Sequence, residues 1–279
     1  MENKTCLITG ATSGIGKATA LGIAEHGAQL LLVARNPEKG ERVRSEIITK
    51  TGNKKIELLY ADLSSQRQIN ALAETIYKNY SQIDILINNA GGVWGKRELT
   101  EDGIEKTWAV NHLAYFLFTR LMEKLLKSTP NSRVINVSSD LHERSKLRLD
   151  DPQFNKGYSA LNAYGHSKLA NIMITYEFAR RWKGSGVTVN CVHPGGVATK
   201  IGYGGNWFIK LGWWLMLPTL ISEEEGAKTT IYLATSTEVA GISGKYFVKQ
   251  KAIKSSPESY DEKKANALWE LSEQMVELA

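Results

Sequence analysis

Tyr164 and Lys168 stand four residues apart in Tyr164-Gly165-His166-Ser167-Lys168, at the start of a helical pattern. On a helix that spacing puts both side chains on one face. A neighbouring ammonium favours the phenolate, so the pair predicts a tyrosine pKa drawn down from its ordinary value of about 10. The chemistry this suits is general acid–base transfer of a proton at a substrate oxygen. The spacing alone is common, and a surface helical pair would look the same, so its meaning depends on partners.

Partners are present. The run Arg133-Val134-Ile135-Asn136-Val137 ends in Ser138-Ser139, and a hydroxyl at the C-terminal end of a strand lies where open α/β sheets bind ligands. Either serine could hold the substrate oxygen. Asn111, in Trp108-Ala109-Val110-Asn111-His112, interrupts a long helical pattern and could hold a water that relays protons from Lys168. The plainer reading is an asparagine that bends a helix toward solvent.

A second set of residues suits a dinucleotide. Thr9-Gly10-Ala11-Thr12-Ser13-Gly14-Ile15-Gly16 follows the first strand-like run and opens the first helical pattern. Glycines there let the backbone approach a pyrophosphate, and the helix N-terminus supplies free N–H groups; Gly10, Ser13, Gly14, Ile15 and Gly16 are the expected contacts. The spacing is G-x-x-x-G-x-G, and a tight turn without ligand would also use it. The second strand ends at Ala34-Arg35-Asn36, with no acidic residue to bind a ribose 2′-hydroxyl. Arg35, assisted by Ser13 and Lys39, is expected to face a 2′-phosphate, which makes NADP(H) the expected cofactor. Asp62-Leu63, at the end of the third strand, is expected at the adenine. Asn89-Ala90-Gly91, after Asn88, leaves backbone open to the cofactor, although hydrogen bonding within the strand terminus explains the amides equally well. His193-Pro194-Gly195-Gly196-Val197-Ala198-Thr199 ends the sixth strand, and Pro194, Gly195, Val197 and Thr199 are expected near the nicotinamide end.

These residues need a scaffold that gathers loops from distant parts of the chain. Short β-branched runs at 6–8, 30–33, 56–60, 83–87, 134–137, 187–192 and 245–248 alternate with longer helical patterns. Continuous rather than alternating hydrophobes indicate parallel strands covered on both faces. The expected architecture is a single doubly wound α/β domain, of Rossmann type, over residues 1–279. Residues 140–163 and 200–218 read as insertions. Between 207 and 217 three tryptophans stand among aliphatics, which fits a substrate lid; a packing or dimer helix and a peripheral membrane contact are the competing readings. A last helical pattern runs over 258–277.

Composition narrows the classes. The formal charge is +6, from scattered lysines rather than a basic face with interleaved aromatics, so no nucleic-acid partner is expected. No run of about 20 apolar residues exists, no secretory leader is read, and a cytoplasmic protein with reduced Cys6 and Cys191 is expected, with peripheral membrane association as the alternative. The five histidines lack ligand spacing, so no metal site is expected.

Taken in order, Thr9-Gly10-x-x-x-Gly14-Ile15-Gly16, Asn88-Asn89-Ala90-Gly91, Asn111, Ser139, Tyr164-x-x-x-Lys168 and Pro194-Gly195 resemble the short-chain dehydrogenase/reductase family over nearly the whole chain. The resemblance implies a seven-stranded parallel sheet and a Ser139-Tyr164-Lys168-Asn111 catalytic group, with Ser139 preferred to Ser138. Ala34-Arg35-Asn36, His166-Ser167-Lys168-Leu169-Ala170-Asn171 and Ser243-Gly244-Lys245-Tyr246-Phe247 are similar to the retinol dehydrogenase-like branch. That branch implies NADP(H) and a small lipophilic aldehyde, ketone or alcohol as substrate. Light-dependent protochlorophyllide reductases, which reduce a C=C bond, are similar in several of the same segments. The branch's N-terminal membrane anchor is not read in this sequence. A non-catalytic NADP(H)-binding sensor or scaffold is the rival from another class; it leaves Tyr164 and Ser139 without a purpose.

Overall fold

The computed structural model describes residues 1–196 and 221–277. Val197, Thr199 and the 200–218 segment, with its expected lid, membrane or dimer roles, lie outside the described residues.

The buried β-branched runs form the strands, and the helical patterns between them cross over on both faces. The strands are β1 (Thr5–Thr9), β2 (Gln29–Ala34), β3 (Ile56–Tyr60), β4 (Ile85–Asn88), β5 (Arg133–Val137), β6 (Thr188–His193), β7 (Tyr246–Val248) and β8 (Lys251–Ile253). Their order in the sheet is β3-β2-β1-β4-β5-β6-β7-β8. The first seven are parallel, as the resemblance implies. The count of seven needs correction, because β8 adds an antiparallel edge through a hairpin on β7. The strand read from residue 83 begins at Ile85, because Asp84 turns its carboxylate back to the Thr5 N–H at 2.9 Å and to the Lys4 ammonium at 2.8 Å.

The helices are α1 (Gly14–Glu25), α2 (Pro37–Thr51), α3 (Gln66–Asn79), α4 (Lys106–Trp108), α5 (Ala114–Leu121), α6 (Glu123–Ser128), α7 (Ala160–Arg181), α8 (Glu223–Thr235) and α9 (Glu262–Met275). A π-helical turn, Ala109–Leu113, joins α4 to α5. The apolar core divides at the sheet. On one side Ile8, Ile23, Leu32, Ile87 and Phe247 pack with Leu233. On the other, Leu7, Leu86, Phe116, Met173 and Phe178 pack with Leu268 and Trp269 of α9. Reversal of strand order between β1 and β4 opens a crevice at the C-terminal edge of the sheet, where doubly wound folds bind ligands.

Candidate active site

The crevice is a cleft of about 840 Å³ that runs from the β2 end, past the first glycine turn, to α7. Of the expected cofactor contacts, Gly10, Ser13, Gly14, Ile15, Gly16, Arg35, Asp62, Leu63, Asn89, Ala90, Gly91, Tyr164, Lys168 and Pro194 line it together. Thr12, Lys39, Arg42, Gly92 and Trp94 line it as well.

The glycines are required by closeness. A Cβ on Gly16 would stand 2.3 Å from the Gly10 carbonyl oxygen, and one on Gly10, whose φ is +67°, would stand 2.7 Å from the Ala90 Cα. The Ser13 side chain does not cap α1, so the N–H groups of its first turn face the cleft unclaimed by it. Asn89 serves this turn from the side. Its amide donates to the carbonyls of Thr9 at 3.0 Å and Gly10 at 3.2 Å, so the strand-terminus reading of Asn89 describes its bonds. Asn88 is buried and bridges Thr119 and Asn136.

At the β2 end the Arg35 side chain is exposed, with its guanidinium 3.7 Å from the Asp62 carboxylate. Asp62 also accepts from the Ser64 N–H and hydroxyl, which fixes it at the head of the following turn. Lys39 and Arg42 of α2 lie along the same wall, so the cleft is cationic at this end. Gly195, expected as a contact, has φ +95° and packs against Ile221.

At the other end, Tyr164 and Lys168 share the cleft-facing side of α7. The two adjacent serines have separate partners. The Ser138 hydroxyl donates to the main-chain oxygen of Lys168 at 2.7 Å, which ties β5 to α7. Ser139 is the hydroxyl beside the Tyr164 phenol, where it favours the ionised form. Its hydroxyl also donates to Asp140 at 3.0 Å.

The expected lowering of the tyrosine pKa is not what the geometry gives. Burial pushes the Tyr164 phenol up to about 12, against the smaller opposite effect of Ser139. Burial also pulls Lys168 down to about 8. The lysine is enclosed: its ammonium donates to the Val137 carbonyl at 3.0 Å and lies 5.5 Å from the centre of the Tyr164 ring. It therefore meets the ring face rather than the phenolic oxygen. The phenol stays protonated through the neutral range, the state a proton donor needs.

Asn111 is fully buried at the middle of the π turn, so the reading of a solvent-facing asparagine is set aside. Its side chain accepts from the Gly92 N–H at 2.9 Å and donates to the Gly92 carbonyl at 2.9 Å. Its own carbonyl accepts from the Asn171 amide at 2.7 Å, and Asn171 is seven residues, or two turns, beyond Tyr164. His112 continues the path, facing Asn171 at 3.4 Å and Ser272 of α9 at 3.0 Å. The Asn111 side chain is thus a clamp on the cleft wall. His166, stacked on Trp108 with ring centroids 4.8 Å apart, accepts from the Arg148 N–H at 3.1 Å and pins the 140–163 insertion. Sequence reasoning passed over Gly92, Asn171 and His112, because only the tertiary contacts reveal what each holds.

The chain is similar to known proteins over nearly its whole length. The short chain dehydrogenase family model matches residues 4–204. Retinol dehydrogenase 12 of Mus musculus is 39% identical over 98% of this chain and 86% of its own length. Retinol dehydrogenase 13 of Homo sapiens is 41% identical over 100% and 86%. Among solved structures, an uncharacterized protein of Mycobacterium paratuberculosis superposes with a TM-score of 0.80 at 29% identity, covering 99% of this chain and 94% of that one. A Beutenbergia cavernae protein, described as an NAD(P)-dependent gluconate 5-dehydrogenase and containing NADP at low occupancy, gives 0.71 at 25% identity, with 88% and 95% covered.

Proposed function

We propose that this chain, which belongs to the short-chain dehydrogenase family and to its retinol dehydrogenase-like branch, is an NADP(H)-dependent oxidoreductase that interconverts a carbonyl and an alcohol on a small lipophilic substrate. The observation that carries the reading is that Tyr164, with the Ser139 hydroxyl beside its phenol, and Lys168 stand at one end of a cleft whose other end is glycine-walled and cationic; Ser138, not Ser139, lines the cleft itself.

The cleft fits a dinucleotide on its own geometry. Gly10 and Gly16 let the turn pack tightly against Ala90 and Asn89, where a Cβ would clash, and the free N–H groups at the start of α1 are left for a pyrophosphate. Arg35, Lys39 and Arg42 supply positive charge where an adenosine 2′-phosphate would lie, and no acidic residue takes the Arg35 position. When bound, the nicotinamide supplies a hydride to the carbonyl carbon, or accepts one in oxidation. Ser139 and Tyr164 hold the substrate oxygen. In reduction Tyr164 gives that oxygen its proton, which completes the alcohol; in oxidation the phenolate side takes it back. Lys168 stabilises the phenolate while the proton is away and would bind the nicotinamide ribose. Asn111 fixes the Gly91–Gly92 wall against which the nicotinamide would rest. The lipophilic class follows from relatives named for retinol.

The test is a panel of lipophilic aldehydes, ketones and alcohols, followed by NADPH absorbance. Turnover is expected with NADPH and nearly abolished in Tyr164→Phe, while NADPH still binds. Wild-type turnover in that variant, or tight NADPH binding without turnover on the whole panel, would remove the proposal. Arg35→Ala should weaken NADPH far more than NADH; equal weakening would place the 2′-phosphate elsewhere.

A further inference from the structure

Lys168 has two aromatic neighbours. Its ammonium lies 5.4 Å from the centre of the Tyr115 ring, on the opposite element from Tyr164, whose ring centre is 5.5 Å away. Both distances fall within cation–π range. Tyr115 comes from α5, four residues after Asn111, and the wide π turn between them makes that spacing close to one full turn. One helical segment therefore carries both the clamp on the cleft wall and a ring against the lysine. Tyr115 is 1% exposed, and its hydroxyl has no hydrogen-bond partner among the described residues. An unpartnered buried hydroxyl costs stability. What favours the side chain is its ring, which packs in the apolar core and faces the Lys168 ammonium.

We propose that Tyr115 is a positioning residue for Lys168, its ring face holding the ammonium over Tyr164 and keeping it charged. The proposal rests on the reading of Tyr164 and Lys168 as the proton-transfer pair. Among the described residues the groups facing the ammonium are few: Tyr115 from α5, Tyr164 from its own helix, the Val137 carbonyl from β5, the thiol Cys191 from β6 and the backbone at Gly91. No carboxylate is among them, and burial pulls the lysine toward its neutral form. A ring quadrupole is the cheapest counterweight a dry site can hold, since it brings no second charge to desolvate.

The experiment compares kcat, KM and the pH profile of kcat for wild type, Tyr115→Phe, Tyr115→Leu and Tyr115→Met, with Tyr164→Phe alongside. Tyr115→Phe keeps the ring face and removes the orphan hydroxyl. It should stay within about twofold of wild-type kcat and melt at or above the wild-type temperature. Leu and Met remove the ring face. They should lose roughly tenfold in kcat at neutral pH with little change in KM for the carbonyl, and the limb reporting Lys168 should move down by roughly one pH unit. Packing alone would leave that limb in place. Unchanged kcat and profile in both Leu and Met would overturn the proposal. So would a Phe variant that loses tenfold or more in kcat relative to wild type, a result that remains readable even where the aliphatic variants unfold. Wild-type turnover in Tyr164→Phe would instead remove the site reading, and this proposal with it.

Discussion

Asn111 and Gly92 exchange two hydrogen bonds, each end of the Asn111 carboxamide meeting one main-chain group of Gly92 at 2.9 Å. The carboxamide imitates a strand partner for a single residue. It joins the cleft wall after β4 to the π turn before α5, and Asn171 joins the same turn to α7. Two of the elements that border the cleft are thereby set relative to one another by side-chain amides.

Asn111→Leu should break this arrangement without a large change in volume. It leaves the N–H and carbonyl of Gly92 without their partner, at about 1–3 kcal/mol for each group that stays buried. Denaturant unfolding should register the loss, and fluorescence titration should show NADPH bound about tenfold more weakly, equivalent to ~1.4 kcal/mol. An unchanged dissociation constant would mean that Gly92 does not shape the cleft.

Ser138 and Ser139 should separate stability from chemistry. Ser138→Ala loses the buried bond to the Lys168 carbonyl, worth about 1 kcal/mol, and should lower the melting temperature while catalysis persists. Ser139→Ala should do the reverse, with kcat falling and the melting temperature nearly kept. Equal kcat losses in the two variants would contradict the division of labour.

Gly16→Ala tests the glycine turn through space rather than strain. The added methyl would stand 2.3 Å from both the Gly10 oxygen and the Asn89 Nδ2, so α1 must retreat from the turn. Dinucleotide binding should be lost before secondary structure is. Calorimetry with NADPH, paired with circular dichroism, would check this; wild-type affinity in Gly16→Ala would show that the turn has slack.

Lys168→Met should trade activity for stability, in a pH-dependent way. In the folded state the lysine pKa falls from 10.5 to about 8. Its depressed pKa means a contribution that is present above 10.5 and lost as pH falls through about 8, where folding must bury the ammonium. A neutral methionine escapes that loss, so the inactive variant should be more stable by ~3 kcal/mol below pH 8, with the advantage fading by pH 10.5. Urea unfolding at pH 7 and at pH 10 measures the difference; a constant offset would refute the buried-charge origin.

The parallel sheet could be read from sequence because β1, β2, β4 and β5 are continuous buried runs that only a doubly covered sheet accommodates. The glycine turn and the Tyr164–Lys168 spacing were legible because each is local. β8 was not. Lys251-Ala252-Ile253 is exposed throughout, and it is joined to β7 by Lys249 and Gln250, both with positive φ, where glycine or asparagine would have signalled a two-residue hairpin. The choice between Ser138 and Ser139 could not come from their neighbours in the chain, since it depends on a carbonyl 30 residues away. The pKa of Tyr164 is not legible in the i, i+4 spacing, which sets the face two side chains share but neither the burial that raises the phenol nor the atom of the ring the ammonium meets.

The helix α9 has a bearing on how the molecule comes into being. Leu268 and Trp269 belong to the same apolar mass as Leu7, and Ser272 closes the chain of polar groups that ends at Asn111. During synthesis, the nucleotide-facing strands leave the ribosome long before these residues do. The core beneath α5 and α7 then waits with Phe116 and Phe178 lacking the Trp269 ring that packs edge-on against both. The proton-transfer end of the cleft is thus completed only once α9 has emerged, and a nascent chain halted before α9 would bear its glycine turn but an unfinished Asn111 support, with aromatic surface open to chaperones.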